Sequence, residues 1–167
     1  FLNKFTIIYY RINEVKLYTK ALPYYEQALK IAKEVNDKAI IALSLKNMGV
    51  VYSRWGQSDK AFQYYEQSLA IARELNDKSL IASSLNSLGV IYYSWGDYKK
   101  ALEYYQQGLE LVKELNDKYT MTIYLNNIGL IYNSWGQHDK ALEYYQQALK
   151  VAREINHKSG MANSFFL

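Results

Sequence analysis

Apolar residues fall into two kinds of stripe that alternate along the chain. The first kind has spacings of 3, 4 and 3 residues, as in Leu85, Leu88, Tyr92 and Trp95. The second has spacings of 4, 3, 4 and 3, as in Ala101, Tyr105, Gly108, Val112 and Leu115. Both spacings place the apolar residues on one face of an α-helix. The pattern therefore predicts two alternating helices, helix A and helix B.

The pair of helices repeats every 40 residues. An Ala-X-X-Tyr-Tyr block of helix B begins at residues 21, 61, 101 and 141, and Trp-Gly ends helix A at residues 55, 95 and 135. The predicted units are residues 1–38, 39–78, 79–118 and 119–158, followed by the start of a truncated fifth unit at 159–167. A fixed period of this length is typical of arrays of stacked helical units.

Turn residues recur with the same period. Glycines directly follow the last Trp of helix A, where a left-handed residue without a Cβ is favoured, at Gly56, Gly96 and Gly136. An Asp after helix B is placed to cap the next helix A, at Asp37, Asp77 and Asp117. We therefore expect short turns between antiparallel helices.

Glycines also lie inside helix A, where they cost about 1 kcal/mol relative to Ala. They are Gly49, Gly89 and Gly129. We interpret them as points of close approach to the small residues of helix B, at Ala28, Ser68, Gly108 and Ala148. The second Tyr of each Tyr-Tyr pair lies on the apolar stripe and is predicted to be core.

These residues resemble the tetratricopeptide repeat family. Leu85, Leu88-Gly89 and Tyr92 on helix A, with Ala101, Tyr105 and Gly108 on helix B, follow the family's signature. The 40-residue form is similar to repeats of spindle-orientation adaptors, kinesin light chains and bacterial regulator arrays. The resemblance implies an all-α, right-handed solenoid of stacked antiparallel hairpins, with a concave groove lined by helix A that binds a protein partner.

The first unit is irregular. Leu2, Phe5 and Ile8 match Leu85, Leu88 and Ile91 of the third unit, but three extra residues lie within the stretch 14–17. A truncated helix A and a longer turn between helices A and B are expected there. Both chain ends carry apolar residues, which predicts end-to-end contacts between molecules.

Charge and composition exclude several classes of function. The net charge is +4, but most basic residues lie beside acidic ones, which argues against nucleic acid. No apolar run approaches the length of a membrane span, and the chain has no cysteine. Neither His138 nor His157 has a partner at catalytic spacing. We expect no enzymatic activity, cofactor or metal, and favour a cytoplasmic location, although the composition leaves the compartment open.

Helix A carries the candidate binding residues, because the face opposite its apolar stripe is polar but almost uncharged. Residues 79–95 and 119–135 contain no charged residue. An asparagine amide can both donate to and accept from an extended peptide. The predicted peptide-binding residues are Asn3, Tyr10, Arg11, Lys46, Asn47, Val50, Arg54, Asn86, Val90, Tyr93, Asn126, Asn127, Leu130 and Asn133. The alternative is that the asparagines fill contacts between repeats, and Lys46 interrupts their ladder.

The charges inside helix A are all basic and lie in the first two units, so the expected partner is an extended, partly acidic peptide. On this hypothesis the protein is an interaction scaffold. A second hypothesis is a self-associating structural or sensor segment, whose groove is filled intramolecularly or by a neighbouring copy. An enzyme would require residues outside this sequence.

Overall fold

The computed structural model describes residues 2–155, with side chains from residue 16 onward. Within these residues the chain forms helices joined by short turns, which confirms the predicted all-α class. The helices are α1 (Leu2–Glu34), α2 (Lys38–Arg54), α3 (Ser58–Glu74), α4 (Lys78–Ser94), α5 (Tyr98–Glu114), α6 (Lys118–Ser134) and α7 (His138–Glu154). Helices α2, α4 and α6 are A helices, and α3, α5 and α7 are B helices.

The turns predicted from Asp37 onward are confirmed. Asp37, Asp77 and Asp117 each accept a hydrogen bond from a backbone N–H in the first turn of the following A helix. The glycines after the A helices adopt φ of 73°, 78° and 71°. The Asn before each capping Asp is also left-handed, with φ of 55°, 53° and 51°, a conformation that Asn tolerates better than most residues. Each turn between α1 and α7 thus has a local signal, either a left-handed Gly or a left-handed Asn followed by a capping Asp.

The chain divides into two compact units, Phe1–Leu75 and Asn76–Leu167. In unit 1, α2 packs against both α1 and α3. In unit 2, the hairpins α4–α5 and α6–α7 are joined through contacts between α5 and α6. The core of unit 2 contains a cluster of buried residues, Ala82, Ala101, Tyr105, Leu109, Val112, Tyr124, Leu125, Ile128, Ile131 and Ala148.

The nearest neighbour of each interior glycine of the A helices is a tyrosine ring, and not a small residue of helix B. A Cβ on Gly49 would lie 2.6 Å from Tyr65, and one on Gly129 would lie 2.7 Å from Cδ1 of Tyr145. Gly89 meets Tyr105 in the same way. The predicted close approach to helix B is therefore present, but the predicted contact residue was wrong. Each glycine makes room for a Tyr ring on the B helix of its own hairpin. The three rings are buried, as predicted.

The predicted turn in the first repeat is wrong. Helix α1 runs without interruption from Leu2 to Glu34 and contains Pro23. The stretch 14–17 holds no glycine, and no left-handed residue precedes Asn36 in the described chain. Helices A and B of the first repeat therefore form one continuous helix. The expected fifth repeat, His157 and the apolar C-terminal end lie outside the described residues.

Candidate functional site

The predicted binding residues are distributed over both units. Side chains described in unit 1 are those on α2, namely Lys46, Asn47, Val50 and Arg54. Those in unit 2 lie on α4 (Asn86, Val90 and Tyr93) and on α6 (Asn126, Asn127, Leu130 and Asn133). Asn3, Tyr10 and Arg11 belong to α1, but their side chains lie outside the described residues.

Two hydrogen bonds join the neighbouring A helices of unit 2. The Asn127 Nδ2 group donates to Asn86 Oδ1 over 2.9 Å. The hydroxyls of Tyr93 and Ser134 are 3.2 Å apart. The Asn pair therefore makes the contact between repeats that was the alternative to peptide binding. It still leaves the Asn86 NH₂ group and the Asn127 carbonyl oxygen, because each amide can form further hydrogen bonds.

Two other asparagines of α6 are placed differently. Asn126 is only 6% exposed, which leaves too little surface to contact a peptide. Asn133 is exposed, and its Oδ1 lies 2.9 Å from His138 Nδ1. The ladder of asparagines is therefore not a continuous row of available amides. On the described A helices, Asn86 and Asn127 form a half-buried amide pair that joins two repeats.

Apolar and neutral side chains surround this pair. Val90 is 43% exposed on α4, and Leu130 on α6 is half-buried. Each of these two helices carries one charged residue, Lys78 or Lys118, at its N-terminal end. Each of these lysines is paired with the last Glu of the B helix in its own hairpin, at 2.9 and 3.0 Å. We name the resulting surface, made by Asn86, Val90, Tyr93, Asn127 and Leu130, the neutral A face.

The basic residues of α2 lie in unit 1. Burial lowers the pKa of Lys46, because a half-buried ammonium loses part of its hydration. None of the described carboxylates pairs with it. The Arg54 guanidinium lies 5.9 Å from the centre of the Tyr18 ring, within the range of a cation–π contact. We name Lys46 and Arg54 the basic A face.

Sequence reasoning missed the role of the first residue of helix B. His138 bonds to Asn133, the ring of Tyr98 lies 5.2 Å from that of Tyr93, and Tyr18 lies beside Arg54. His138 and Asn133, like Tyr98 and Tyr93, are five residues apart across the turn between helices A and B. That constant spacing is the signal that could have shown the contact.

The described part of the chain holds no group of three His, Asp or Glu side chains that could bind a metal ion. Among the described residues, no helix is both long enough and apolar enough to span a bilayer.

Comparison with known proteins adds a family match. The sequence profile of the tetratricopeptide repeat matches residues 12–74, 64–114 and 80–154, which together cover most of the chain. No curated protein sequence matches the chain significantly.

Solved structures share the fold. BtubC from P. vanneervenii is 25% identical, with a TM-score of 0.77, and the match covers 88% of this chain and 63% of BtubC. A Rap protein in complex with Competence and Sporulation Factor is 24% identical, with a TM-score of 0.83, over 94% of this chain and 43% of that protein. A Signal Transduction ATPase with Numerous Domains from Pyrococcus horikoshii, which has a tetratricopeptide repeat sensor, is 22% identical, with a TM-score of 0.77, over 93% and 25%. The chain thus spans less than two thirds of each of these proteins.

Proposed function

This chain belongs to the tetratricopeptide repeat family, and we propose that it binds an extended, partly acidic segment of a partner protein on the exposed faces of its A helices. The family is a protein-interaction module. A Rap protein of the same fold has been solved in complex with Competence and Sporulation Factor, which supports the proposal at the level of the fold. The observation that carries it is the neutral A face, a partly exposed surface of α4 and α6 on which no charged side chain lies.

The neutral A face has the chemistry for reading a peptide backbone. Asn86 and Asn127 hold each other through one hydrogen bond, which fixes the orientation of both amides. The remaining donor on Asn86 and acceptor on Asn127 match the alternating C=O and N–H groups of an extended chain. Val90 and Leu130 supply apolar contact for side chains of the peptide. Backbone bonds would give affinity, and the apolar residues would select sequence.

The basic A face favours carboxylates. Lys46 is partly desolvated and has no carboxylate partner among the described residues. A partner's Asp or Glu beside Lys46 would restore a favourable environment for its charge and raise its pKa again. Arg54 is exposed, and an exposed charge steers association more than it sets affinity, since salt screens it over about 10 Å at 0.1 M.

A peptide panel tests the basic A face. Synthetic peptides share an apolar centre and carry flanks of either Glu or Gln, and binding is measured by calorimetry at two salt concentrations. We expect the Glu peptides to bind more tightly at low salt. The Lys46→Glu and Arg54→Glu double variant should abolish that preference, whereas Lys113→Glu on α5 should keep it. Equal effects of the two charge reversals would refute the assignment.

A separate selection tests the neutral A face. A random peptide library displayed on phage is selected against the unmodified chain, and the recovered peptides are titrated against variants. Asn86→Ala is expected to weaken binding about tenfold, the loss of roughly 1.4 kcal/mol of hydrogen bonding. Gln107→Ala on the exposed side of α5 is the matched control. If the selected peptides bind Asn86→Ala and Gln107→Ala with the affinity of the parent, the peptide does not bind at the neutral A face.

A further inference from the structure

Helix α1 carries an exposed apolar stripe on its C-terminal half. Leu17 is 65% exposed, Tyr24 72% and Ile31 50%. The residues are spaced by seven, which places them on one side of the helix. Val35, directly after the helix, is 67% exposed. An apolar stripe of this length on a single helix indicates a face that lacks its packing partner.

The later repeats show what the missing partner is. Tyr64, Tyr104 and Tyr144 occupy the position of Tyr24 and are half-buried. Each stacks on a Tyr of the A helix in its own hairpin, with ring centres 5.2 to 5.4 Å apart. Tyr24 is exposed because no A helix lies in front of it. The exposed face around Tyr24 is therefore the surface against which the helix A segment of the first repeat would pack.

The sequence of that A helix is present in the same chain. Leu2, Phe5, Ile8 and Tyr9 match the A-helix pattern of the third repeat. However, α1 is continuous, so Tyr9 and Tyr24 are 15 residues apart on one helix, or about 22 Å along its axis. The helix A segment of a chain with this α1 cannot reach its own helix B segment.

A second neighbour of the missing helix is also uncovered. Within a stack, helix A contacts the helix A of the following repeat, as Asn86 on α4 contacts Asn127 on α6. The same register pairs residue 3, also an Asn, with Asn47 on α2. Near Asn47, Leu43 is 47% exposed, whereas Ile123, at the same position of α6, is half-buried. Both surfaces that a first A helix would contact are thus apolar and open.

We propose that a second copy of this chain completes the first repeat. The helix A segment of one copy, residues 2–13, packs between the helix B segment of the other copy's α1, residues 18–34, and that copy's α2. The exchange is reciprocal, so each copy covers the other's open face in an isologous, domain-swapped dimer. Every contact in it is of the type that each later hairpin makes within one chain.

A second copy fits this face better than an unrelated protein. The sequence that matches the A-helix pattern is already part of the chain and is held in helical form. Reciprocal exchange also closes on itself, so it predicts a dimer of defined mass and not a growing filament.

Site-specific crosslinking tests the proposal, because the chain has no cysteine of its own. A Tyr9→Cys and Tyr24→Cys variant is treated with a short thiol crosslinker and analysed by denaturing electrophoresis, beside light scattering of the untreated protein. We expect a dimer in solution and a covalent dimer after treatment. A monomer in both measurements would overturn the proposal. So would a crosslink within one chain, which would show that α1 folds back at residues 14–17.

Two further variants make the outcome specific. Tyr9→Cys with Lys30→Cys places the second thiol on the exposed side of α1 away from the stripe, and should give no covalent dimer. Deleting residues 15–17 and changing Ile12→Trp and Asn13→Gly restores the Trp-Gly turn of the later repeats. With the thiols at the positions of Tyr9 and Tyr24, this variant should be a monomer with a crosslink inside one chain. A dimer that crosslinks equally well through Lys30→Cys would refute the swapped arrangement.

Discussion

The ring of Tyr124 occupies the space left by the absent side chain of Gly108. A Cβ at position 108 would overlap the phenol of Tyr124, whose hydroxyl donates to the carbonyl oxygen of Ala82. One repeat earlier, the hydroxyl of Ser68 donates to the equivalent carbonyl, that of Ala42, over 2.8 Å. Ser68 and Gly108 hold the same position in helix B. In unit 1 the donor to this carbonyl is Ser68 on helix B, and in unit 2 it is Tyr124 on the next A helix.

We predict that Gly108→Leu destabilises unit 2. Leu would force the buried ring of Tyr124 out of its position, and overpacking of this kind costs about 1 to 3 kcal/mol. Helix propensity alone would favour the change by up to about 1 kcal/mol, so a net loss identifies the overlap. Urea unfolding measures it, with Gln107→Ala on the exposed neighbouring position as the control. A stability equal to that of the parent would show that position 108 does not face Tyr124.

A double replacement should recover much of the loss. Tyr124→Ser alone leaves a cavity and removes the donor to Ala82, and Gly108→Ser alone collides with the ring. Together the two changes give helix B the hydroxyl that Ser68 carries and give the A helix a small residue, as at Ser84. We expect a favourable coupling of about 0.5 to 3 kcal/mol in a double-mutant cycle of urea unfolding. Additive effects would mean that the two residues do not interact.

Buried phenols should make unit 2 sensitive to alkali. Burial raises the pKa of Tyr105 and of Tyr124 above their ordinary value of about 10. Above that pH the unfolded chain releases these protons while the folded chain retains them. The free energy of unfolding should therefore fall as the pH rises above about 10.

Replacing the phenols tests this sensitivity. Tyr105→Phe should make the fall in stability between about pH 10 and 12 less steep, as measured by urea unfolding at a series of pH values. Tyr119→Phe, whose ring is exposed, is the control. An identical slope in both variants would show that the buried ring does not contribute.

Local signals allowed most of the fold to be predicted, because each acts within a few residues. Gly56 and Asp37 determine their turns through backbone conformation and a capping bond, and both effects are readable from the sequence. The continuity of α1 was not predicted, since a matching A-helix pattern at residues 2–10 suggested a hairpin. The sequence difference at this place is Ile12-Asn13, which stands where the later A helices end in Trp-Gly.

The candidate site was only partly predictable. Helical geometry places Asn86 and Asn126 at the same position of successive A helices, yet Asn126 is buried and Asn86 is half-exposed. That difference depends on which neighbours cover each helix, and the position within a repeat carries no information about it. The Tyr ring that packs on Gly89 was likewise missed, because a glycine shows that something approaches closely but not which side chain does.

Two adjacent residues at the start of α6 should differ sharply in their contribution to stability. The Asp117 side chain accepts a hydrogen bond from the backbone N–H of Thr120 over 3.0 Å, and such caps are worth about 1 kcal/mol. Lys118 pairs with Glu154 at 3.0 Å, and both side chains are partly exposed to water, so this ion pair is expected to contribute about 0 to 1 kcal/mol and to weaken with salt. We predict that Asp117→Ala lowers the free energy of unfolding in both low and high salt. Glu154→Gln should have a small effect that disappears in high salt. Urea unfolding at two salt concentrations separates the two, and a salt-dependent loss for Asp117→Ala would show that its charge, and not its cap, stabilises the helix.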